Sequence, residues 1–201
     1  MGLKDIKYEE GQTPLDPDEM EGLLIPTVTT RGELDEVEQR NIEKAVLWTV
    51  SRRRRFTRDE VLTEQFTLEL HKRMYGDVWE WAGHFRNSDK NIGVEKYQIG
   101  IELRKLLDDC KYWIENGAYS PDEAAVRFKH RLVAIHCFSN GNGRHSRLMA
   151  DIIIEKVFDE QVFTWGSESL SKQSGFRAIY LTALRKADHG EVDELLAFAR
   201  S

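Results

Sequence analysis

Apolar side chains recur every three or four residues along most of this 201-residue chain, which is the period of amphipathic helices. The pattern predicts six helices, whose apolar stripes fall within residues 34–48, 62–70, 103–114, 120–135, 144–157 and 175–187. Ser120, with Pro121 behind it and Glu123 placed to complete a capping box, is a typical helix start. The pattern therefore predicts a chain in which helix dominates.

Residues 79–100 interrupt this helical period. Aromatic and aliphatic residues are separated there by Gly83, Asn87, Asn91 and Gly93, which are residues typical of turns. This pattern predicts a short β-hairpin, which would be the one departure from helix among the predicted elements.

The first 30 residues differ from the remainder of the chain. They contain Pro14, Pro17 and Pro26 and show no sustained hydrophobic period. We interpret residues 1–30 as an extended N-terminal arm that lies over the core or stays mobile. Residues 31–201 are then one folded domain, an ordinary size for a single hydrophobic core.

Composition and charge limit the kinds of partner and the cellular compartment that we expect. The net charge of −6 and the isoelectric point near 5.6 oppose binding to nucleic acid or to anionic lipid. No apolar stretch is long enough to span a bilayer, and the first twenty residues do not resemble a signal peptide. Two cysteines, Cys110 and Cys137, fit a reducing compartment. We expect a cytoplasmic protein without nucleic acid or membrane partners.

The segment from His136 to Arg147, HCFSNGNGRHSR, carries the densest chemistry. Gly141 and Gly143 flank an asparagine, so successive N–H groups can turn inward as an anion-binding nest, and the following helix directs its N-terminal dipole to the same place. Arg144 lies three residues before the final arginine, on the same helical face, and both can reach a polyphosphate. A neutral imidazole with an ordinary pKa of about 6.5 can accept a proton near pH 7. The segment predicts a phosphate site with His136 as general base.

Each part of this segment also has a structural explanation. Gly-Asn-Gly is common turn chemistry, and a histidine next to a phenylalanine is often a core residue. Cys137 is interpreted as a small buried residue and not as a thiol nucleophile. His130, His136 and His145 lack the spacing of a zinc site. The basic run 52–55 fits a solvated helix end.

The run from His136 to Arg147 resembles the signature of the Fic/Doc family: His, Pro, Phe, any residue, Asp or Glu, Gly-Asn-Gly-Arg, two residues and Arg. The likeness covers nearly the whole chain. Leu70 to Gly83 is similar to the family's approach to its substrate-docking flap, and Tyr180 to Gly190 is similar to its closing helices. Within the family, the chain most resembles the subfamily called mobile mystery protein B, which is associated with bacterial mobile elements.

The resemblance implies an all-α Fic fold with a short β-hairpin flap and the activity of a protein adenylyltransferase. His136 would deprotonate a serine, threonine or tyrosine of a target protein for attack on the α-phosphate of ATP. Backbone amides and two arginines would hold the nucleotide: Gly141, Asn142, Gly143, Arg144 and Arg147. Mg²⁺ would bridge phosphate oxygens, with Asn140 at the position of its protein ligand. The target would add as a strand to the flap near Asn91, Ile92 and Gly93.

Two positions depart from the signature. Cys137 replaces the usual proline, and Asn140 stands where the family has an acidic metal ligand. An amide oxygen contributes no negative charge, so affinity for Mg²⁺ should fall. Two alternatives therefore stay open: a catalytically weak nucleotide-binding regulatory module, and a Fic-fold enzyme that removes AMP or transfers another phosphate-linked group.

Many Fic proteins have an inhibitory helix in which a serine or threonine precedes a glutamate by four positions, with glycine or asparagine next. The resemblance gives Thr29 and Glu33 here, followed by Leu34, so the pattern is incomplete. If Glu33 paired with Arg147, it would block the γ-phosphate position. An inhibitory antitoxin-like partner chain is the other arrangement the resemblance implies.

Overall fold

The computed structural model describes residues 14–50, 56–166 and 176–201. In these ranges the chain forms nine α-helices and a 3₁₀ turn: α1 (Pro17–Glu21), α2 (Arg31–Val50), α3 (Arg58–Val61), α4 (Glu64–Tyr75), the 3₁₀ turn (Lys96–Gln98), α5 (Ile99–Asn116), α6 (Pro121–Ile135), α7 (Asn142–Lys156), α8 (Phe176–Ala187) and α9 (Asp193–Arg200). The predicted all-α fold is confirmed. The basic run 52–55 lies outside the described residues.

Helices α6 and α7 form the centre of the fold. They pack against each other through fully buried side chains such as Phe128 on α6 and Met149 and Ile153 on α7. Helix α5 covers α6 from one side, and α4 lies against α5 and α7 with Leu70 completely buried. Helix α2 packs on α4. None of the helices described here is long and apolar enough to cross a membrane.

A short loop joins the two central helices. Helix α6 starts as predicted, with the Ser120 hydroxyl accepting a hydrogen bond from the Glu123 N–H and Pro121 in the first position. It ends at His136 and α7 begins after Gly141, and both of these flanking residues have left-handed backbones. Such conformations end a helix and turn the chain sharply. The loop therefore lies at the centre of the molecule, between its two most buried helices.

The predicted β-hairpin does not form as paired strands in the described part of the chain. Its residues adopt turns and bends before the 3₁₀ turn. The physical reason is that side chains satisfy the backbone there: the Arg86 guanidinium donates to the carbonyls of Ser88 and Val94, and Lys96 Nζ donates to the carbonyl of Asn87. The alternation of apolar and turn residues correctly marked a non-helical segment, which we call the flap (residues 87–94).

Residues 14–30 pack on the helical core. The Leu24 N–H donates to the carbonyl of Val78 and the Glu80 N–H to that of Gly22, and an isolated β-bridge joins Leu23 to Trp79. This segment also contains α1. The division into an arm of residues 1–30 and a domain of residues 31–201 stays a prediction, because residues 1–13 lie outside the described ranges.

Candidate active site

His136 ends α6 and starts the loop to α7. Its backbone has φ 59° and ψ 60°, a conformation that costs a non-glycine residue free energy unless its surroundings fix it. Its N–H donates to the Leu132 carbonyl at 3.4 Å, and its own carbonyl accepts a 2.7 Å hydrogen bond from Arg86 Nε. The residue is only 3% exposed. The predicted base is thus held by its backbone in one position at the helix end.

The environment of His136 keeps the imidazole neutral. Burial lowers its pKa to about 4, the positive charges of Arg86 and Lys90 act in the same direction, and a hydrogen bond with the Val133 backbone opposes them. The side chain is therefore a weaker base than the ordinary imidazole expected from sequence. It is also neutral throughout the physiological pH range, and the neutral form is the one that accepts a proton.

Asn142 closes the loop with its side chain. Its Oδ1 accepts a hydrogen bond from the Phe138 N–H at 3.0 Å, and its Nδ2 donates to the Phe138 carbonyl at 2.7 Å. Both groups are buried, so these bonds replace water that the loop backbone has lost. The Asn142 side chain thus shapes the loop, while its backbone N–H stays part of the helix N-terminus.

His71 on α4 contacts the same loop through its ring. Its ring stacks on Phe138 with centroids 3.6 Å apart. Nδ1 accepts a hydrogen bond from the Gly83 N–H, so the proton is on Nε2, which lies 3.1 Å from the Asn140 carbonyl and donates to it. Sequence analysis missed this residue. The available signal was its position: Thr67, His71 and Tyr75 follow one another at four-residue spacing along a buried face of α4.

The N-terminal turn of α7 presents backbone N–H groups. The first N–H bonded within the helix is that of His145, which donates to the Gly141 carbonyl, so those of Asn142, Gly143 and Arg144 precede the ladder. The Gly141 N–H donates to Asn140 Oδ1 at 2.5 Å. An anion at this turn therefore meets three helix N–H groups, and it must displace the Asn140 side chain to reach the fourth.

The two glycines of the motif, Gly141 and Gly143, lie in different surroundings. Gly141 has φ 78°, and a Cβ there would lie 2.5 Å from the Tyr75 ring, so the fold itself requires glycine. At Gly143 no described atom lies within 4 Å of a Cβ. Glycine in a helix is less stable than alanine by about 1 kcal/mol. Packing among the described residues therefore does not require glycine at position 143, and the space beside its backbone is open.

Arg144 and Arg147 diverge in this structure. Arg144 forms a 2.7 Å ion pair with Glu38 of α2, and its guanidinium lies over the Tyr75 ring, 5.1 Å from the centroid. Arg147 lies over the Tyr180 ring at 5.8 Å. Their shared helical face is as expected from their spacing. Each arginine rests against an aromatic ring beside the helix N-terminus.

The carboxylate that meets the motif is not the one suggested by the incomplete inhibitory pattern. Glu33 accepts hydrogen bonds from the Thr29 and Thr30 N–H groups at the start of α2 and does not reach Arg147. Its carboxylate and the Thr30 hydroxyl form a capping box at the start of α2. Glu38, which is 2% exposed and also accepts a hydrogen bond from Trp79 Nε1, occupies Arg144 instead. Sequence analysis missed Glu38, although it lies four residues after buried Leu34 on the core face of α2.

The donor set for a divalent cation is poor. Asn140 Oδ1 is a neutral amide oxygen that already accepts the Gly141 N–H. Within the described ranges no three His, Cys, Asp or Glu side chains come together as ligands. Mg²⁺ needs several oxygen ligands, usually with carboxylates among them. These residues do not by themselves form a magnesium site, and the role of Asn140 as a metal ligand stays a prediction.

The flap lies directly against His136. Gly93 has φ 95°, and a Cβ there would lie 2.5 Å from the His136 Cβ. The Val94 N–H donates to the Ile135 carbonyl at 3.3 Å. Asn91 and Ile92 are exposed beside this contact. The structure therefore brings the three predicted docking residues and the predicted base together.

Cys137, His130 and His145 each have their own surroundings in the described structure. Cys137 is fully buried, and burial raises its thiol pKa to about 12, so it is not an activated nucleophile. His130 pairs with Asp188 at 2.8 Å, and His145 contacts the Thr67 carbonyl. These histidines thus have separate partners.

Fold and site together define a class: a helical protein whose centre holds a histidine beside a helix N-terminus that presents backbone N–H groups. The sequence model of the Fic/DOC family matches residues 61–154 of this chain, from the end of α3 into α7. The matched range contains the flap and the entire segment from His136 to Arg147.

Curated relatives are similar at low identity. A protein adenylyltransferase Fic of Aedes aegypti is 26% identical over 145 residues, covering 70% of this chain and 28% of that protein. The protein of the same name from Drosophila willistoni is 29% identical over 142 residues, covering 68% of this chain and 27% of that protein. The chain thus spans less than a third of the length of these relatives.

Solved structures show the same fold. BepC of Bartonella tribocorum, solved with bound AMPPNP, has a TM-score of 0.66 at 17% identity, covering 92% of this chain and 97% of that chain. Fic-1 of C. elegans has a TM-score of 0.65 at 22% identity, covering 90% of this chain and 51% of that chain. At these identities the likeness concerns the fold alone.

Proposed function

We propose that the chain is a protein adenylyltransferase that transfers AMP from ATP to a hydroxyl of a target protein, with His136 as general base. One observation carries the proposal: a neutral histidine ends α6 five residues before Gly141, where α7 presents its first N–H groups and two arginines. The activity named for the curated relatives and the ATP analogue bound to BepC support this reaction and this nucleotide.

The proposed reaction has three parts. The target oxygen forms a bond to the α-phosphorus, the bond from that phosphorus to the pyrophosphate oxygen breaks, and the hydroxyl proton passes to His136. The N–H groups at the start of α7, with Arg144 and Arg147, stabilise the charge on the phosphates. The target segment lies along the flap at 91–93, where the exposed residues adjoin the base.

A second candidate is a nucleotide-binding regulatory module with weak catalysis. Two contacts favour it, because each occupies a group that a triphosphate would use: Asn140 Oδ1 holds the Gly141 N–H, and Glu38 holds Arg144. Asn140 also brings no negative charge for a metal. A separate inhibitory chain would give the same resting behaviour.

The test is incubation of the chain with Mg²⁺, a cell lysate and ATP labelled at the α-phosphate. We compare wild type, His136→Ala and His189→Ala, whose exposed histidine in the turn after α8 is the matched control. We expect protein labelling by wild type and by the control, and a loss of at least about 100-fold in His136→Ala. ATP affinity should stay within about twofold, because the base acts only during attack.

Each result separates the candidates. Equal labelling by His136→Ala would remove His136 from the mechanism. If wild type transfers no label while ATP binding is measurable, the regulatory module or a chain held inactive by a partner is favoured. If ATP does not bind, the nucleotide site itself is wrong.

A further inference from the structure

Tyr75, the last residue of α4, carries a hydroxyl that the packing of the fold does not explain. The residue is 1% exposed, and its Oη finds no hydrogen-bond partner anywhere in the described part of the chain. A buried hydroxyl without a partner destabilises a folded protein by about 1–3 kcal/mol. Phenylalanine would fill the same space without this cost, so the hydroxyl needs another reason.

The position of the Tyr75 hydroxyl suggests what that reason is. A Cβ built on Gly141 would lie 2.6 Å from Tyr75 Oη, which places the hydroxyl against the residue that caps α7. The first N–H groups of α7, which precede the hydrogen bonds within the helix, follow directly after Gly141. Tyr75 therefore adds an O–H donor to a place that already presents backbone donors.

The charges around Tyr75 also fit an anion. The Arg144 guanidinium lies over its ring, and in the resting chain Glu38 supplies the negative charge opposite that arginine. Burial raises the pKa of the phenol, so it stays protonated and is a donor at every physiological pH. With Arg144 paired to Glu38, the carboxylate occupies the guanidinium that a phosphate would otherwise bind.

We infer that the Tyr75 hydroxyl is a phosphate ligand, which donates to a nucleotide phosphate oxygen once the phosphates replace Glu38 at Arg144. This inference rests on the proposed function, because it names a further contact of the same nucleotide site. It assigns the orphaned donor, the arginine over its ring and the space at Gly143 to one ligand, a polyphosphate.

The substitution that tests this is Tyr75→Phe, which removes one oxygen and keeps the ring. Tyr119→Phe is the matched control, because Tyr119 packs against Trp113 in the turn between α5 and α6, away from the loop. Binding of a non-hydrolysable ATP analogue and of inorganic pyrophosphate is measured by calorimetry, and the Tm of each ligand-free protein by thermal unfolding.

We expect Tyr75→Phe to bind both ligands about five- to tenfold more weakly, while its ligand-free Tm equals or exceeds that of wild type. Tyr119→Phe should bind like wild type. Equal affinity of Tyr75→Phe and wild type would overturn this inference alone and leave the proposed function standing. A lower ligand-free Tm in Tyr75→Phe would also overturn it, since the hydroxyl would then have a partner in the fold. If wild type binds neither ligand, the proposed function fails together with the inference.

Discussion

At the scale of single residues, Arg86 organises the surroundings of His136, the proposed base. Its side chain is fully buried and donates to the carbonyls of His136, Ser88 and Val94, which joins the end of α6 to the flap. A guanidinium has five donors in a fixed plane, and an ammonium cannot reproduce that geometry. We therefore interpret Arg86 as a positioning residue for His136.

Replacing Arg86 should separate geometry from charge. We expect Arg86→Lys and Arg86→Gln to slow transfer by about tenfold or more, because a displaced base loses its alignment, with ATP affinity within about twofold of wild type. Only Arg86→Gln should move the acidic limb of the pH–rate profile to higher pH, since the Arg86 charge helps to lower the pKa of His136.

The measurements for Arg86 are transfer rates across the acidic range and nucleotide binding at pH 7. Arg104→Gln, at an exposed position on α5, is the control for loss of a positive charge. An identical pH profile in Arg86→Gln and Arg86→Lys would show that the Arg86 charge does not act on His136.

At the scale of elements, α2 packs on α4 and reaches the start of α7 through one side chain. Glu38 is buried, binds Trp79 through one oxygen and Arg144 through the other. Because an ion pair holds Arg144, binding of a nucleotide at the proposed site would include the cost of breaking that pair. Under the proposed function, Glu38 of α2 therefore competes with the nucleotide for Arg144.

Glu38→Gln should strengthen nucleotide binding. The amide oxygen still accepts the Trp79 N–H but carries no charge for Arg144, so we expect the Kd for ATP to fall about tenfold, or roughly 1.4 kcal/mol. Calorimetric titration measures it, with Glu36→Gln as control, because Glu36 pairs with Arg40 on the exposed side of the same helix. Weaker binding in Glu38→Gln would mean that Glu38 orients Arg144 for the phosphates.

At the scale of the whole molecule, three neutral histidines lie in the core near the loop. Burial lowers the pKa of His136 and of His145 to about 4 each and lowers that of His71 well below its usual range. In the unfolded chain each histidine titrates near 6.5. Between these values the three histidines bind more protons in the unfolded state than in the folded state, so their contribution to stability falls as pH falls from about 6.5 towards 4. The Asp151 carboxyl, whose pKa burial raises to about 7, offsets part of this loss.

Urea unfolding followed from pH 7.5 to pH 5 should show this loss. We expect His136 and His145 each to contribute about 2 kcal/mol less to the free energy of unfolding at pH 5, with a further loss from His71. His145→Gln keeps a donor for the Thr67 carbonyl but does not titrate, so its stability should depend less on pH. A wild-type free energy of unfolding that is constant down to pH 5 would contradict the buried neutral state of these side chains.

Much of the fold followed from local pattern. The hydrophobic period located the main helices, because a helix that buries one face must repeat apolar residues at that spacing. The Ser120 start followed from capping chemistry. The hairpin prediction was wrong as to strands, because alternation shows which residues face the core and does not show that the Arg86 and Lys96 side chains satisfy the backbone.

The sequence by itself determined the motif from His136 to Arg147, because its base, glycines and arginines are neighbours along the chain and their chemistry is local. Only the tertiary structure decided what meets that motif. Four side chains reach the loop from other parts of the chain: Glu38 from α2, His71 and Tyr75 from α4, and Arg86 from the segment before the flap. They do so because α4 packs against α7 and α2 packs on α4. Periodicity identifies which face of a helix is buried, but the partner of a buried polar group depends on contacts between residues far apart in sequence.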